Sequence, residues 1–212
     1  MARGRAPGFD LQREQILRAA ATLFARRGYA GTSMNDVAEA SGVSKPALYH
    51  YVRDKEGLLA AIAGGHIVRL RTLVEAVRSE TGADAPEARL RRLIEAFLAA
   101  YADAQDEHRV LTDDVRFLPD AEREPVLAGE RAVVDAFADA IAAARPELRR
   151  EGLDKPLTML LFGMMNWMFT WLQPGGRLTH GDLAPVVADL LFGGLGAVRA
   201  PRRRAAPRKV AA

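Results

Sequence analysis

No stretch of this chain alternates apolar and polar residues as a half-buried strand would. Apolar residues recur instead at three- and four-residue spacing almost throughout. That pattern restricts the fold to an all-α assembly of amphipathic helices. The first helix is expected from Asp10, as N-cap, to Arg27, stopped by Gly28, with Ile16, Ala20, Leu23 and Phe24 on one face. A short helix opens at Ser33-Met34-Asn35-Asp36, where a hydroxyl precedes a carboxylate by three residues as in a capping box, and closes at Ser41-Gly42. Ser44 caps another, with Pro46 in its first turn, where a missing N–H costs nothing. Asp54 caps a fourth reaching about Glu80. Further helices are expected over 87–105, 107–117, 121–144, 155–172 and 182–198, with Pro125 a candidate kink and Pro174-Gly175-Gly176 a firm break. No internal repeat is found.

The sharpest signal lies between Asp36 and Tyr51. Two helices that cross closely need a small residue at the contact, and Ala38 supplies it. Four residues on, Gly42 allows a left-handed turn, while Val37, Val43 and Leu48 fix the crossing angle. The helix from Lys45 to Tyr51 is then free to project its outer face. Ser44, Lys45, Tyr49 and His50 are hydrogen-bond donors that the local core does not need, and Lys, Tyr and Ser suit phosphate oxygens. Lys45, Ala47 and His50 are the candidates for reading base edges. Lys55 is placed to meet a phosphate, and Thr32 and Ser33 could do so through backbone N–H groups. The bland alternative is a plain helical hairpin. The preceding amphipathic helix, the caps and the basic-aromatic face together favour duplex DNA as the partner.

Charge supports this. The net +3 conceals basic ends around an acidic middle: residues 1–55 hold nine Lys/Arg against five Asp/Glu, and 197–212 hold six Lys/Arg and no acid. Such a distribution suits a polyanion held at one pole, although a solvated tail is the simpler reading of the C-terminal run alone. Residues 200–212 read as a basic disordered tail and 1–9 as a flexible basic start.

These residues resemble a known family. Ile16, Ala19, Ala20, Leu23, Phe24, Gly28, Tyr29, Thr32, Ser33, Val37, Ala38, Ala40, Gly42, Val43, Ser44, Ala47, Leu48, Tyr49, Tyr51, Lys55, Leu58 and Leu59 look like the DNA-binding domain of TetR-type one-component regulators. One departure is Val52, where the family usually has an aromatic. The resemblance implies an Ω-shaped homodimer whose DNA-contact residues include Ser44, Lys45, Pro46, Ala47, Tyr49, His50, Tyr51 and Lys55. Its two recognition helices would enter successive major grooves, roughly 34–36 Å apart, on a near-palindromic operator. It also implies a division into a helix-turn-helix domain over 10–55 and an effector-binding and dimerisation domain over 56–199. Ligand-induced release of DNA, hence repression, is the family's common behaviour.

The second half speaks more softly. Leu157 to Leu172 is apolar nearly all round, 16 residues long, and falls short of the roughly 20 that span a bilayer. No membrane partner is expected. Together with the Gly-rich segment Leu183 to Val198 it fits a four-helix dimer interface, with Leu161, Met165, Phe169, Leu190, Leu191 and Gly194 as the contacts. Asn166 is the odd residue, an amide in a greasy helix: either a satisfied core Asn or a polar anchor in a ligand cavity beside Trp167, Thr170 and Trp171. The segment Asn166 to Gly176 is similar to one found in TetR-type regulators that sense acyl-CoA thioesters, such as those of fatty acid, steroid or phenylacetate breakdown. The effector implied is an acyl- or aryl-acyl-CoA. Its phosphates would need cations, for which Arg109, Arg116 and Arg177 are candidates, with Tyr101, His108 and Phe117 lining the pocket.

Chemistry beyond binding is not expected. Cys is absent, which excludes disulfides, thiolate metal sites and Cys nucleophiles and fits a reducing cytoplasm. The start MARGRAPGFD has no apolar run, so no signal peptide is expected. The four His are scattered, with no HExxH, P-loop, GxGxxG or GxSxG, so no cofactor, metal or catalytic residue is expected. Two other readings remain open: a regulator of an efflux or other operon with a non-CoA hydrophobic effector, and a ligand-independent DNA-binding adaptor.

Overall fold

A computed structural model describes residues 8–81, 85–173 and 175–195. Ten α-helices make up their regular structure: α1 (Phe9–Arg27), α2 (Met34–Ala40), α3 (Lys45–Leu48), α4 (Lys55–Glu80), α5 (Pro86–Asp103), α6 (Gln105–Asp114), α7 (Asp120–Ala144), α8 (Pro146–Arg150), α9 (Asp154–Asn166) and α10 (His180–Leu195). Tight 3₁₀ turns, Val115–Phe117 and Trp167–Thr170, extend α6 and α9.

The long helix α4 organises the molecule. Leu58, Leu59, Ile62, Ile67, Leu70 and Val74 recur at helical spacing and are all buried. They meet α1, α5, α6 and α7. Among the described residues α4 is the one helix long and apolar enough to cross a bilayer. Here that apolarity is used inside the protein, and Arg69, Arg71, Glu75 and Arg78 mark its exposed side. On the far side Phe97 of α5 stands edge-on to Phe137 of α7, with ring centres 4.8 Å apart, and Phe162 of α9 closes the cluster. Where α7 crosses α4 the backbones are close: a Cβ added at Gly129 would stand 2.8 Å from Cγ1 of Ile67.

Several boundaries differ from expectation. Asp10 lies inside the first turn of α1, and Gly8, with φ 94°, takes the N-cap position. The helix expected over 155–172 ends its α-form at Asn166 and tightens, so Trp171 and Leu172 N–H groups both reach back to the Met168 carbonyl. Pro125 does not interrupt α7, and the short α8, started by Pro146, was not anticipated. Pro174, residues 1–7 and residues 196–212 fall outside the described residues, and with them the basic tail, most of the flexible start and the end of the helix expected to reach 198.

Candidate DNA interface and ligand cavity

The turn between α2 and α3 is built by local hydrogen bonds. Ser33 accepts from Asp36 N–H at 3.2 Å while the Asp36 carboxylate accepts from Ser33 N–H at 2.7 Å, a reciprocal cap on α2. The Ser33 hydroxyl, which donates to the same carboxylate at 2.5 Å, and then the Ser33 N–H hold the Asp36 carboxyl below its ordinary pKa. Gly42 follows at φ 66°, a conformation that disfavours side chains, and Val43 N–H returns to the Ala38 carbonyl at 3.0 Å. Ser44 then caps α3 through Ala47 N–H, with Pro46 in the first turn. Val37, Ala38 and Leu48 are buried beneath, as the crossing requires. What remains outward is Ser44, Lys45, Pro46, Tyr49 and His50, with Ala47 half-covered. Tyr49, 46% exposed, projects from the end of α3.

Four residues expected at the same surface are engaged elsewhere. Thr32 is buried: its hydroxyl donates to the Gly28 carbonyl at 3.1 Å and its N–H to Tyr29 O at 3.3 Å. The Ser33 N–H is spent in the cap. Tyr51 stacks on Phe9 at 4.7 Å, and Val52, the position that lacks the family's aromatic, is buried. Lys55 lies over the Tyr29 ring at 4.2 Å, and partial burial lowers its pKa. Linear spacing could not show the Tyr51 and Lys55 contacts, whose partners come from other elements, whereas Thr32 and Ser33 bond to residues only three or four away.

The second site is an open-mouthed cavity of about 420 Å³ between α4, α5, α6, α7 and α9. Ile67, Leu70, Leu111, Val133 and Phe162 give it apolar walls, and Tyr101, His108 and Asn166 contribute to one side, as expected from sequence. His66 Nε2 lies 3.2 Å from His108 Nδ1, and the Tyr101 ring stacks on His108 at 3.6 Å. Burial pushes the His66 pKa down to about 4 and that of His108 to about 3, so both rings are neutral at physiological pH. Burial raises Tyr101 and Glu130. Two of the four histidines that look scattered in sequence, His66 and His108, converge, and the charge of His180 weighs on His108, while His50 stays exposed after α3. Among the described residues no group of three or more His, Cys, Asp or Glu could hold a metal ion.

The other seven cavity candidates stand outside its wall. Phe117 stacks on Tyr29 at 5.4 Å, at the junction with the DNA-binding end, and Arg116 lies over the Phe117 ring. Arg109 pairs with Asp113, one turn along its own helix. Trp167 and Trp171 are 65% and 52% exposed, and Thr170 donates to the Trp167 carbonyl at 2.7 Å. Arg177 is exposed beyond the turn. After Asn166 the helix tightens into a 3₁₀ turn over Trp167–Thr170. Sequence reasoning missed Glu130, Arg131, Asp135 and Lys155 at the cavity margin, which carry no local signature.

Residues 16–62 match the family description "Bacterial regulatory proteins, tetR family", and residues 83–195 match "Tetracyclin repressor-like, C-terminal domain". The chain belongs to the TetR family. A TetR-family regulator from Bordetella parapertussis 12822 superposes with a TM-score of 0.81 at 32% identity, covering 89% of this chain and 98% of that one. AibR, solved in complex with isovaleryl coenzyme A and operator DNA, gives a TM-score of 0.73 at 26% identity over 85% of this chain and 98% of its own. The transcriptional activator FasR of Mycolicibacterium smegmatis is 31% identical over 134 residues, 62% of this chain and 58% of FasR. This TetR-family protein is thus a DNA-binding transcription regulator of the cytoplasm and not an enzyme.

The residues expected at a dimer interface divide sharply in the TetR-family protein. Leu161, Met165 and Leu191 are buried within the single chain, and Phe169 is half-buried beside His108. Leu190 and Gly194 are exposed. The outward apolar face keeps Leu190 of α10 and adds Val186, Leu160 of α9 (67% exposed) and Trp167 of the 3₁₀ turn that follows. The correction is one of helix phase: both faces of these helices are apolar, so composition did not say which one turns inward.

Proposed function

We propose that this TetR-family regulator is a homodimeric repressor that grips a near-palindromic operator and is released by an acyl- or aryl-acyl-CoA thioester. The observation that carries the ligand reading is the apolar cavity of about 420 Å³ with a few convergent polar groups on one side. An acyl chain suits its walls. Arg131 and Lys155, exposed at its margin and paired there with Glu124 and Asp135, would exchange those carboxylates for the phosphates of coenzyme A in place of Arg109, Arg116 and Arg177. The isovaleryl coenzyme A bound by AibR is of this class. Dimerisation is supported by the exposed Leu160, Trp167, Val186 and Leu190, too large an apolar set to leave to water. Residues 10–55 then form the DNA-binding unit and 56–199 the effector and dimer unit. They are joined by Thr22 to Asp106 at 2.6 Å, Arg53 to Glu122 at 3.3 Å and Tyr29 on Phe117. FasR is an activator, so the sign of regulation has a competing reading.

One experiment tests the whole. Duplexes selected from a random pool by the full-length protein should share two half-sites about one helical turn apart. Isovaleryl-CoA, and not free coenzyme A, should weaken binding to them. Tyr49→Ala should cost about tenfold in affinity with an unchanged melting temperature, since phosphate contacts are worth about 1 kcal/mol or more each. A monomer that enriches no duplex would refute the proposal. Tighter DNA binding with the thioester would replace release by activation.

A further inference from the structure

Most polar groups of the cavity wall are already engaged. His108 hydrogen-bonds Asn166, and His108 Nε2 and Asn166 Oδ1 are closed to solvent. Thr112 donates to the His108 carbonyl at 2.9 Å. At the margin Arg131 pairs with Glu124, and Lys155 with Asp135 at 2.8 Å. Two groups are left. Tyr101, 4% exposed, is held by its stack on His108 and by Phe97, edge-on with ring centres 6.0 Å apart, so its hydroxyl has a fixed place. That hydroxyl has no partner among the described residues and, unlike His108 Nε2 and Asn166 Oδ1, is not sealed off: it opens on the cavity. Half-buried Glu130 also lines the cavity and has neither a hydrogen bond nor an ion pair among the described residues. Its charge bears on the Tyr101 hydroxyl, and its own pKa is raised by burial.

We propose that Tyr101 and Glu130 together bind a hydroxyl group carried on the apolar part of the cavity's occupant, with Tyr101 donating to its oxygen and the Glu130 carboxylate accepting from it. The proposal rests on the cavity being the ligand site and deepens that reading, but it does not depend on coenzyme A. Hydrogen-bonding capacity decides the group. A phenol has one hydrogen to give, and an ionised carboxylate can only accept. A carbonyl oxygen would serve Tyr101 but turn its lone pairs toward Glu130. An ammonium would serve Glu130 but offer no acceptor for the Tyr101 proton. An alcohol oxygen both accepts and donates, so one atom satisfies both residues. An all-carbon occupant would displace water from both and leave each unpaired, which is costly.

The test uses full-length protein labelled with ¹³Cζ-tyrosine and probes of one skeleton: 4-methylpentan-2-ol, 4-methylpentan-2-one and 4-methylpentan-2-amine, the last an ammonium at neutral pH. The alcohol should shift the Tyr101 resonance, identified by its loss in Tyr101→Phe, and bind about 10-fold more tightly than the ketone or the amine. Glu130→Gln gives the ketone a donor, so the alcohol's preference over it should shrink to about twofold or less. Tyr101→Phe keeps the ring on His108 and should weaken the alcohol about fivefold. Each change removes a group that the fold leaves unpartnered, so both empty variants should melt no lower than the original protein. Equal binding of alcohol and ketone, tighter binding of the amine, a preference that survives Glu130→Gln, or a lowered melting temperature in both variants would each overturn the proposal. Failure of 3-hydroxybutyryl-CoA to displace the bound alcohol would retire the thioester reading and leave the hydroxyl site established. Release of DNA by isovaleryl-CoA, with no preference for the alcohol, would retire the hydroxyl site alone.

Discussion

In the DNA-binding head, Ser33, Ser44 and Asp54 each cap the helix that follows by accepting a backbone N–H three residues on. The cavity is made the other way: Ile67, Tyr101, His108, Glu130 and Asn166 come from five different helices and touch only because the chain packs. The difference teaches where function can be altered without touching stability. Around α3 the working side chains point away from the core. In the cavity the polar residues are themselves part of the core, so the ligand recognition proposed for it would share its atoms with folding.

The strongest way to break that comparison is Phe97→Ala, deep in the C-terminal domain and fully buried against Phe137 and Phe162. Removing that ring should cost about 3–5 kcal/mol in urea unfolding. A loss below about 1 kcal/mol would mean the aromatic cluster is not the core of this half.

Acid should come next. His66 and His108 have pKa values of about 4 and about 3 in the folded chain, against 6.5 ordinarily. Depressed values mean that the unfolded chain takes up protons the folded one refuses. This stability is complete above pH 6.5 and is lost as pH falls from there toward 4 and 3. Each ring contributes at most about 1.4 kcal/mol per pH unit, and their coupling makes the total at pH 5 on the order of 2–4 kcal/mol. The caps on α2 and α4 differ, since the lowered Asp36 and Asp54 carboxyls lose their contribution only below their ordinary 3.8. Denaturant titrations at pH 7 and pH 5 would check this. An unchanged midpoint, or an equal fall in a His66→Phe/His108→Phe double variant, would sink it.

The smallest effect belongs to the head. Ser33→Ala removes one capping bond and should cost about 1 kcal/mol of thermal stability, with DNA affinity falling through fraying of α2 rather than a lost contact. An affinity loss with no stability change would make Ser33 a direct DNA ligand after all.

Legibility followed the same division. The capping box at Ser33, the glycine turn at Gly42 and the cap at Ser44 were readable because each is a bond between residues three or four apart. Tyr101, His108 and Asn166 were readable only as polar residues on apolar helices, without their partners. The sequence could not show that Tyr51 stacks on Phe9 or that Phe117 leaves the cavity for Tyr29, because those partners lie in other elements, whereas Thr32 turns inward onto Gly28, four residues back, and that bond was legible and missed. Nor could it choose between Leu161 and Leu160 as the inward residue of α9, since both faces are apolar.

Taken alone, the order of residues determined every described helix but α8 to within its ends, apart from the 3₁₀ end of α9, and with them the short turn between α2 and α3 and the outward donors Lys45, Tyr49 and His50. These depend on backbone propensity and caps that act within one turn. Packing alone decided which apolar face is buried, where the 3₁₀ tightening carries the tryptophans, and that Arg69, His66 and His108 form one chain. Those outcomes depend on which distant side chains arrive at the same place, and periodicity carries no record of that.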